Sequence, residues 1–271
     1  MGNISNELQS DYSKLWAKIN NRASTTGRPF ELERDKYINR QNGLNNFVAN
    51  KIPCIEVSKR LFKDSPILFV GMNPSGTNIK HYSDKNNNPD DVYIYDGDSK
   101  YYKAMTSFAF DCLKGYQKWG VNEEDAEDKY SVLDLFGIVQ STQKVIQDDF
   151  LENPKKYSGM FDIFLQYVKK VNPKVIIVAN AFVRKVLKRD EDINLDNPKY
   201  NFFYKNSRGD MKFELKCNEK YGGYTFTIDP TGESARFQLF FSSMLSGKRA
   251  LDIGSRENLV WLVNNYLSNN P

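Results

Sequence analysis

The segment Ser65–Asp84, SPILFVGMNPSGTNIKHYSD, begins as a buried strand and ends as polar loop. Ile67 to Gly71 offer almost nothing for water to solvate. An unbroken apolar run of that length marks a strand covered on both faces rather than a half-exposed one. Asn73-Pro74-Ser75-Gly76 follows at once. In this tight turn Pro74 restricts its own backbone and that of Asn73, and Gly76 lets the chain come close to a phosphate or a base. A rigid strand thus hands its chain to a turn that holds the Asn73 amide at a fixed point beyond the strand's carboxyl end.

Three more runs share the continuous apolar character: YSVLDLF (130–136), PKVIIVAN (173–180) and RFQLFFSS (236–243). Between and after them lie helical patterns at 99–116, 160–171, 181–189 and 255–267, the last with Ser255 as its expected N-cap. Strands alternating with helices predict an α/β fold, a three-layer α/β/α arrangement around a short central four-stranded parallel sheet. Residues 1–60 read as an N-terminal helical extension, helical and mostly polar over 5–50, with Leu8, Tyr12, Leu15, Trp16 and Ile19 at helical spacing. Residues 200–229 interrupt the alternation. Their turn signals, Ser-Arg-Gly-Asp and Tyr-Gly-Gly-Tyr, predict an antiparallel β-hairpin insertion. With no internal repeat or linker, one domain spanning 1–271 is the simplest organisation.

The chain has 271 residues, enough for a sizeable core without disulfides or metals, and its 40% hydrophobic and 27% charged residues are ordinary for a globular protein. A net charge of +4 permits a polyanionic partner without requiring one. Cys54, Cys112 and Cys217 are far apart, and His81 is the only histidine, so no disulfide framework, zinc ribbon or transition-metal site is expected. No cofactor is expected either. The first ten residues lack the apolar core of a signal peptide, and Asn6 stands where a myristoylation site wants Ser or Thr. The expectation is a cytoplasmic monomer, without a membrane span.

In open parallel sheets, ligands bind beyond the carboxyl ends of the strands. The residues there are Gly71, Met72, Asn73, Pro74, Ser75 and Gly76 after the first run, Asp134 at the second, Asn180 at the third, and Phe241, Ser242 and Ser243 at the fourth. They contain no Ser-His-Asp set, P-loop or G-x-G-x-x-G. ILFVGMNPSG resembles the first motif of the uracil-DNA glycosylase superfamily, in which a strand ends in Gly-x-Asn-Pro or Gly-x-Asp-Pro. The Asn form is similar to the mismatch-specific and single-strand-selective branches. FSSMLSGKRALDIGSRENLVWLV, from Phe241, resembles the superfamily's His-Pro-Ser-Pro-Leu-Ser segment and the helix after it, with Ser243, Leu245 and Ser246 on matching positions. The resemblance covers about residues 60–190 and 235–268.

The resemblance implies hydrolysis of an N-glycosidic bond on a base flipped out of DNA. Asn73 would position the attacking water through its carbonyl. Leu245 would wedge into the vacated stack. Ser75, Ser243 and Ser246 would bond flanking phosphates, and Lys248 and Arg249 would neutralise phosphate charge. Tyr93 and Tyr95, with Tyr82 behind them, are candidates for stacking on the base. Two positions depart from the family. Phe241 stands where many relatives carry a His that donates to the leaving base, and losing such a donor typically costs ~100–1,000-fold in rate. Ser242 or a backbone N–H would then serve instead. Asp134 stands where relatives read the base with Asn. A non-catalytic nucleic-acid-binding member of the same fold and a small-molecule nucleotide hydrolase remain as alternatives.

Asp134 generates a specificity prediction. Uracil presents the acceptor O4 beside the donor N3–H, which an Asn amide matches and an ionised carboxylate, having acceptors only, does not. Such a mismatch costs about 1–3 kcal/mol when buried. Cytosine offers an amine donor beside N3, and burial favours the shared proton that would complete the pair. Asp134 is therefore expected to tilt the site toward a cytosine-type base, with bonding to strand-end amides as its alternative role. Asp134→Asn should shift relative excision toward uracil on matched uracil, cytosine and 5-substituted cytosine oligonucleotides. Efficient uracil cutting by the wild type, unchanged in the variant, would exclude Asp134 as the reader.

Overall fold

The structure, a computed structural model, describes residues 2–26, 55–72, 92–95, 100–114, 124–137, 143–190, 193–245 and 250–270. In chain order its strands are β1 (Ile55–Ser58), β2 (Ile67–Gly71), β3 (Val92–Tyr95), β4 (Tyr130–Asp134), β5 (Val175–Val178), β6 (Phe213–Cys217), β7 (Tyr224–Ile228) and β8 (Ala235–Phe241). Its α-helices are α1 (Ser5–Thr26), α2 (Lys100–Leu113), α3 (Gln143–Glu152), α4 (Ser158–Val171), α5 (Ala181–Lys188), the single turn α6 (Asn201–Tyr204) and α7 (Ile253–Asn269).

The four apolar runs are β2, β4, β5 and β8, and they lie parallel in the order β4-β2-β5-β8. The main sheet has six strands rather than the expected four. Antiparallel β7 and β6 continue it beyond β8, giving a mixed sheet. An open β8 edge would present unpaired N–H and C=O groups, and the hairpin covers them. The two strands within residues 200–229 are therefore part of the sheet, while the first five of these residues are helical rather than β. Tyr200, Phe203 and Tyr204 are fully buried there.

Side chains alternate across the sheet with period 2. Leu68, Val70, Leu133, Ile176, Val178 and Leu239 pack with α1, α3, α4 and α5. Ile67, Phe69, Val132, Val175, Ile177 and Phe240 pack with Met105 and Phe108 of α2 and Leu259 and Val263 of α7. The first face carries an aromatic chain. Phe161 stacks on Phe203 with centroids 4.2 Å apart, and Phe203 meets Phe150 edge-on at 4.9 Å. These contacts fasten the segment before the hairpin to α3 and α4.

The N-terminal 60 residues are not all helical. α1 covers 5–26, β1 follows, and 27–54 lie outside the described residues. Leu8 and Tyr12 are buried, whereas the side chains of Trp16 and Ile19 lie outside the description. Leu15 seats against Gly159, where a Cβ would come within 2.7 Å of its Cδ1. β1 pairs in parallel with β3, so Tyr93 and Tyr95 lie in a strand, opposite Glu56 and Ser58. The outer edge of β4 is covered too. Val132 N–H donates to the Arg60 carbonyl at 2.7 Å, and Phe62 N–H donates to Ser131 Oγ at 2.8 Å.

The cap of α7 is Asp252, not Ser255. Asp252 Oδ1 accepts from Ser255 N–H at 2.9 Å and Oδ2 from Ser255 Oγ at 2.7 Å. These bonds hold the Asp252 carboxyl below its ordinary pKa. A carboxylate also complements the positive end of the helix dipole, which the Ser hydroxyl does not.

Two constraints fix the hairpin. Gly223 has φ +67°, and a Cβ there would lie 2.5 Å from the Leu239 carbonyl oxygen and 2.7 Å from Phe240 Cδ1. Gly223→Ala combines a left-handed backbone penalty with overpacking, so it should destabilise the fold by about 2–5 kcal/mol. A fall in the urea midpoint measures this; an unchanged midpoint would mean the turn has another way to seat.

Candidate functional site

The strand order locates the candidate ligand-binding edge. From β2 the chain passes by way of α2 to β4 on one side. It then crosses by α3 and α4, on the other face, to β5 on the opposite side of β2. The winding reverses between β2 and β5, and in open α/β sheets the crevice at such a reversal, outside the strands' carboxyl ends, is the ligand site.

Backbone bonds align that edge. Leu135 N–H donates to the Gly71 carbonyl (3.0 Å), Ala179 N–H to Val70 (3.2 Å) and Ser242 N–H to Val178 (2.9 Å). Asp134, Gly71, Ala179 and Ser242 therefore share one level of the sheet. Three strand spacings of about 4.8 Å put Asp134 and Ser242 roughly 14 Å apart, a span that admits a nucleobase between their side chains. Asn180 starts α5 here, so the positive end of that helix dipole faces the same edge and favours negative charge.

The expected site residues divide into several groups. Asp134 is half-buried at the edge. Behind it, Tyr12 of α1 is only 1% exposed. Its hydroxyl makes no well-formed hydrogen bond. Burial first, and the Asp134 charge second, push its pKa up, with the Gly137 backbone partly offsetting them. Its helical spacing with Leu8 and Leu15 carries no signal of this neighbour. Gly71 and Met72 are buried, and Met72 belongs to the core, where Gln147 Nε2 contacts its sulfur at 3.8 Å. Neither offers a side chain to a ligand; together they form the floor from which Asn73 leaves.

Asn180 is 8% exposed, and its polar atoms are engaged. Oδ1 accepts from Phe182 N–H at 2.9 Å and Val183 N–H at 3.1 Å, and Nδ2 donates to Gln143 Oε1 at 3.2 Å. It caps α5 and ties it to α3 rather than presenting an amide to a base. Ser242 Oγ donates to the Ser243 carbonyl at 2.8 Å, which turns the hydroxyl onto the backbone.

Phe241 is half-buried and meets the Tyr224 ring edge to face, centroids 5.2 Å apart. Ser243 is exposed. Leu245 is half-buried against the α2 and α7 cluster, while its neighbour Met244 is 37% exposed. Met244 pairs with Ala250 in an isolated bridge. Asn73, Pro74, Ser75, Gly76, His81, Tyr82, Ser246, Lys248 and Arg249 lie outside the described residues, as do the side chains of Tyr93 and Tyr95.

A separate groove of about 1090 Å³ is lined by Ser158, Asp162, Lys169, Lys212 and Asp229, among others. It lies by Ile228, which pairs with Ala235, so it adjoins the amino end of β8 and not the carboxyl-end crevice. Three of the lysines lining it are paired: Lys212 with Asp162 at 2.6 Å, Lys169 with Asp229 at 3.0 Å and Lys170 with Glu7 at 2.9 Å. Among the described residues no group of three or more His, Cys, Asp or Glu could hold a metal ion, and no helix is long and apolar enough to cross a membrane.

No protein-family model matches the chain, and no curated protein matches it significantly. The reading of the site therefore rests on its own residues and geometry.

The two bonds accepted by Asn180 predict a structural phenotype. Asn180→Ala should cost about 1 kcal/mol of stability, the ordinary worth of an N-cap, seen as a lower urea midpoint. An unchanged midpoint would mean that the start of α5 does not depend on this cap.

Proposed function

We propose that the chain is a three-layer α/β/α domain of the uracil-DNA glycosylase type, which hydrolyses the N-glycosidic bond of a flipped uracil or cytosine-type base in DNA. The observation that carries this reading is the convergence of both sequence motifs on one edge. The first motif leaves β2 at the winding reversal, and the second leaves β8 two strands away, at the same level of the sheet.

In this reaction the base leaves the stack and enters the crevice. Asn73 does not titrate, so it orients water through its carbonyl instead of deprotonating it. Asp134 reads the base edge. The N-terminal end of α5 favours the negative charge that builds on the departing base. Ser75, Ser243 and Ser246 hold flanking phosphates, Lys248 and Arg249 add counter-charge, and Tyr93 and Tyr95 are the stacking candidates. Leu245 is the family's wedge position. Its packing against the α2 and α7 cluster means it would have to leave that contact to enter a duplex.

Phe241 favours a second reading, a nucleic-acid-binding member of the fold without catalysis, since a binder needs no donor to a leaving group. Incubation with a panel of modified-base oligonucleotides, followed by alkaline cleavage at abasic sites, separates the two. Excision should appear on at least one pyrimidine lesion. Asn73→Ala should abolish it with fold and DNA affinity nearly intact, while Asn73→Asp, whose carboxylate can take the water's proton, should preserve or raise the rate. Full activity in Asn73→Ala would remove Asn73 from the chemistry. Tight binding with no excision on any base would establish the second reading.

A further inference from the structure

The groove by the amino end of β8 has no part in the excision reading, and its charges are unevenly committed. Lys212 is buried in its wall, with its side chain 9% exposed. Besides Asp162, its ammonium donates to Ser158 Oγ at 3.2 Å and to the Phe202 carbonyl at 3.4 Å. Ser158 Oγ in turn donates to that same carbonyl at 2.6 Å. The backbone of Phe202 is thereby tied down, yet the residue itself is 60% exposed. Its neighbours Phe203 and Tyr204 are fully buried, so the turn keeps two rings in the core and offers the third to the groove.

The cations around this ring are the uncommitted ones. Lys155 Nζ lies 4.7 Å from the Phe202 centroid. Lys205 follows in the chain and lines the groove. Neither makes an ion pair with any described residue, whereas Lys169, Lys170 and Lys212 all do. Asn201, also in the wall, keeps Oδ1 buried without a hydrogen-bond partner, an unmet acceptor next to the ring. An anchored, exposed aromatic flanked by free ammonium groups is the arrangement that takes an unpaired nucleotide, its base on the ring and its phosphates on the cations. A carboxylate side chain of an acidic peptide would bring the charge but neither a flat face nor an N–H. The volume of about 1090 Å³ also exceeds what one small ligand usually fills, about 300–1,000 Å³.

We propose that this groove binds an unpaired nucleic-acid strand, with one base stacked on Phe202 and the adjoining phosphates on Lys205 and Lys155. A duplex fits it poorly, because its bases are stacked on one another and present no free face. The groove lies by Ala235, seven residues before Ser242, which is roughly 23 Å along an extended strand. It is therefore a contact separate from the crevice, and it does not depend on excision.

The test measures binding by the full chain to a short fluorescein-labelled oligo-dT strand and to the same sequence in a duplex. Phe202→Ala should weaken the single strand on the order of 10–100-fold, the usual effect of losing one base stack. Duplex affinity and melting temperature should stay unchanged, and Phe202→Trp should retain the single-strand affinity. Lys155→Ala and Lys205→Ala should each flatten the log–log salt dependence by about 0.7, the single-strand value for one phosphate contact. A strand carrying 5-iodouracil should crosslink to Phe202 under ultraviolet light, as mapped by mass spectrometry. An oligo-rU strand should show the same losses, since neither contact touches the 2′ position. Equal affinity in wild type and Phe202→Ala, or crosslinks that leave Phe202 untouched, would overturn the proposal. So would dTMP binding as tightly as the strand, or polyglutamate binding more tightly than oligo-dT with no loss in Phe202→Ala. None of these readouts uses excision. A wild type that excises no base therefore fails the reading of the crevice, while the Phe202 variants decide the groove.

Discussion

Everything at the candidate site depends on the two-sided hydrogen-bond ladder of β2. The strand pairs in register with β4 on one side and β5 on the other, and every residue from Ile67 to Met72 is buried. A slip of one residue would send Leu68 and Val70 to the opposite face, and with both faces packed that register cannot move. The pairing also continues past the strand's end, where the Met72 carbonyl accepts from Phe136 N–H at 2.9 Å. The backbone is therefore held up to the residue before Asn73. In the proposed reaction an amide that only orients water gains its effect from fixed geometry, and a central strand buried on both faces supplies it.

The sheet's edges are managed differently on its two sides. Beyond β4, residues 60–62 cover the edge with a few backbone and Ser131 bonds. Beyond β8, the hairpin adds two full strands, and the aromatic chain through Phe150, Phe161, Phe203, Tyr204 and Phe213 anchors them to the α4 face. Each such ring pair is worth about 0.5–1.5 kcal/mol beyond its buried area. One outcome is positional: the antiparallel register sets Tyr224 opposite Leu239, and its ring meets that of Phe241.

The two departures from the expected family pattern can be read together. A Phe in place of a donor, and an acceptor-only carboxylate in place of an amide, change how a pyrimidine would be held on either side of the crevice. On the β8 side, the Phe241 ring packs edge to face against Tyr224 of the neighbouring strand. On the β4 side, the Asp134 charge acts on the buried Tyr12 hydroxyl, so α1 contributes to the environment of the proposed base-reading position. The N-terminal helix and the hairpin both border the crevice.

The sequence alone determined the four core strands and their parallel character, because continuous apolar runs of strand length, alternating with amphipathic helices, have few other uses. It also singled out the strand-end residues, since Asn-Pro-Ser-Gly after ILFVG and Ser-Ser-Met-Leu-Ser after QLFF are local signals. It could not supply what depends on contacts between distant segments. KYNFFY reads locally as the start of a β insertion, yet its rings meet α3 and α4 across the chain and settle into a helical turn. Asn180 looked like a ligand contact because it follows a strand, whereas the orphan N–H groups of α5 claimed its oxygen. Ser255 looked like a cap until the Asp252 carboxylate, three residues earlier, proved the stronger acceptor. Tyr224 carries no signal of its own, because its place beside Phe241 is set by the register between β7 and β8. Register is a property of two strands and a packed face, and only the tertiary structure decides it.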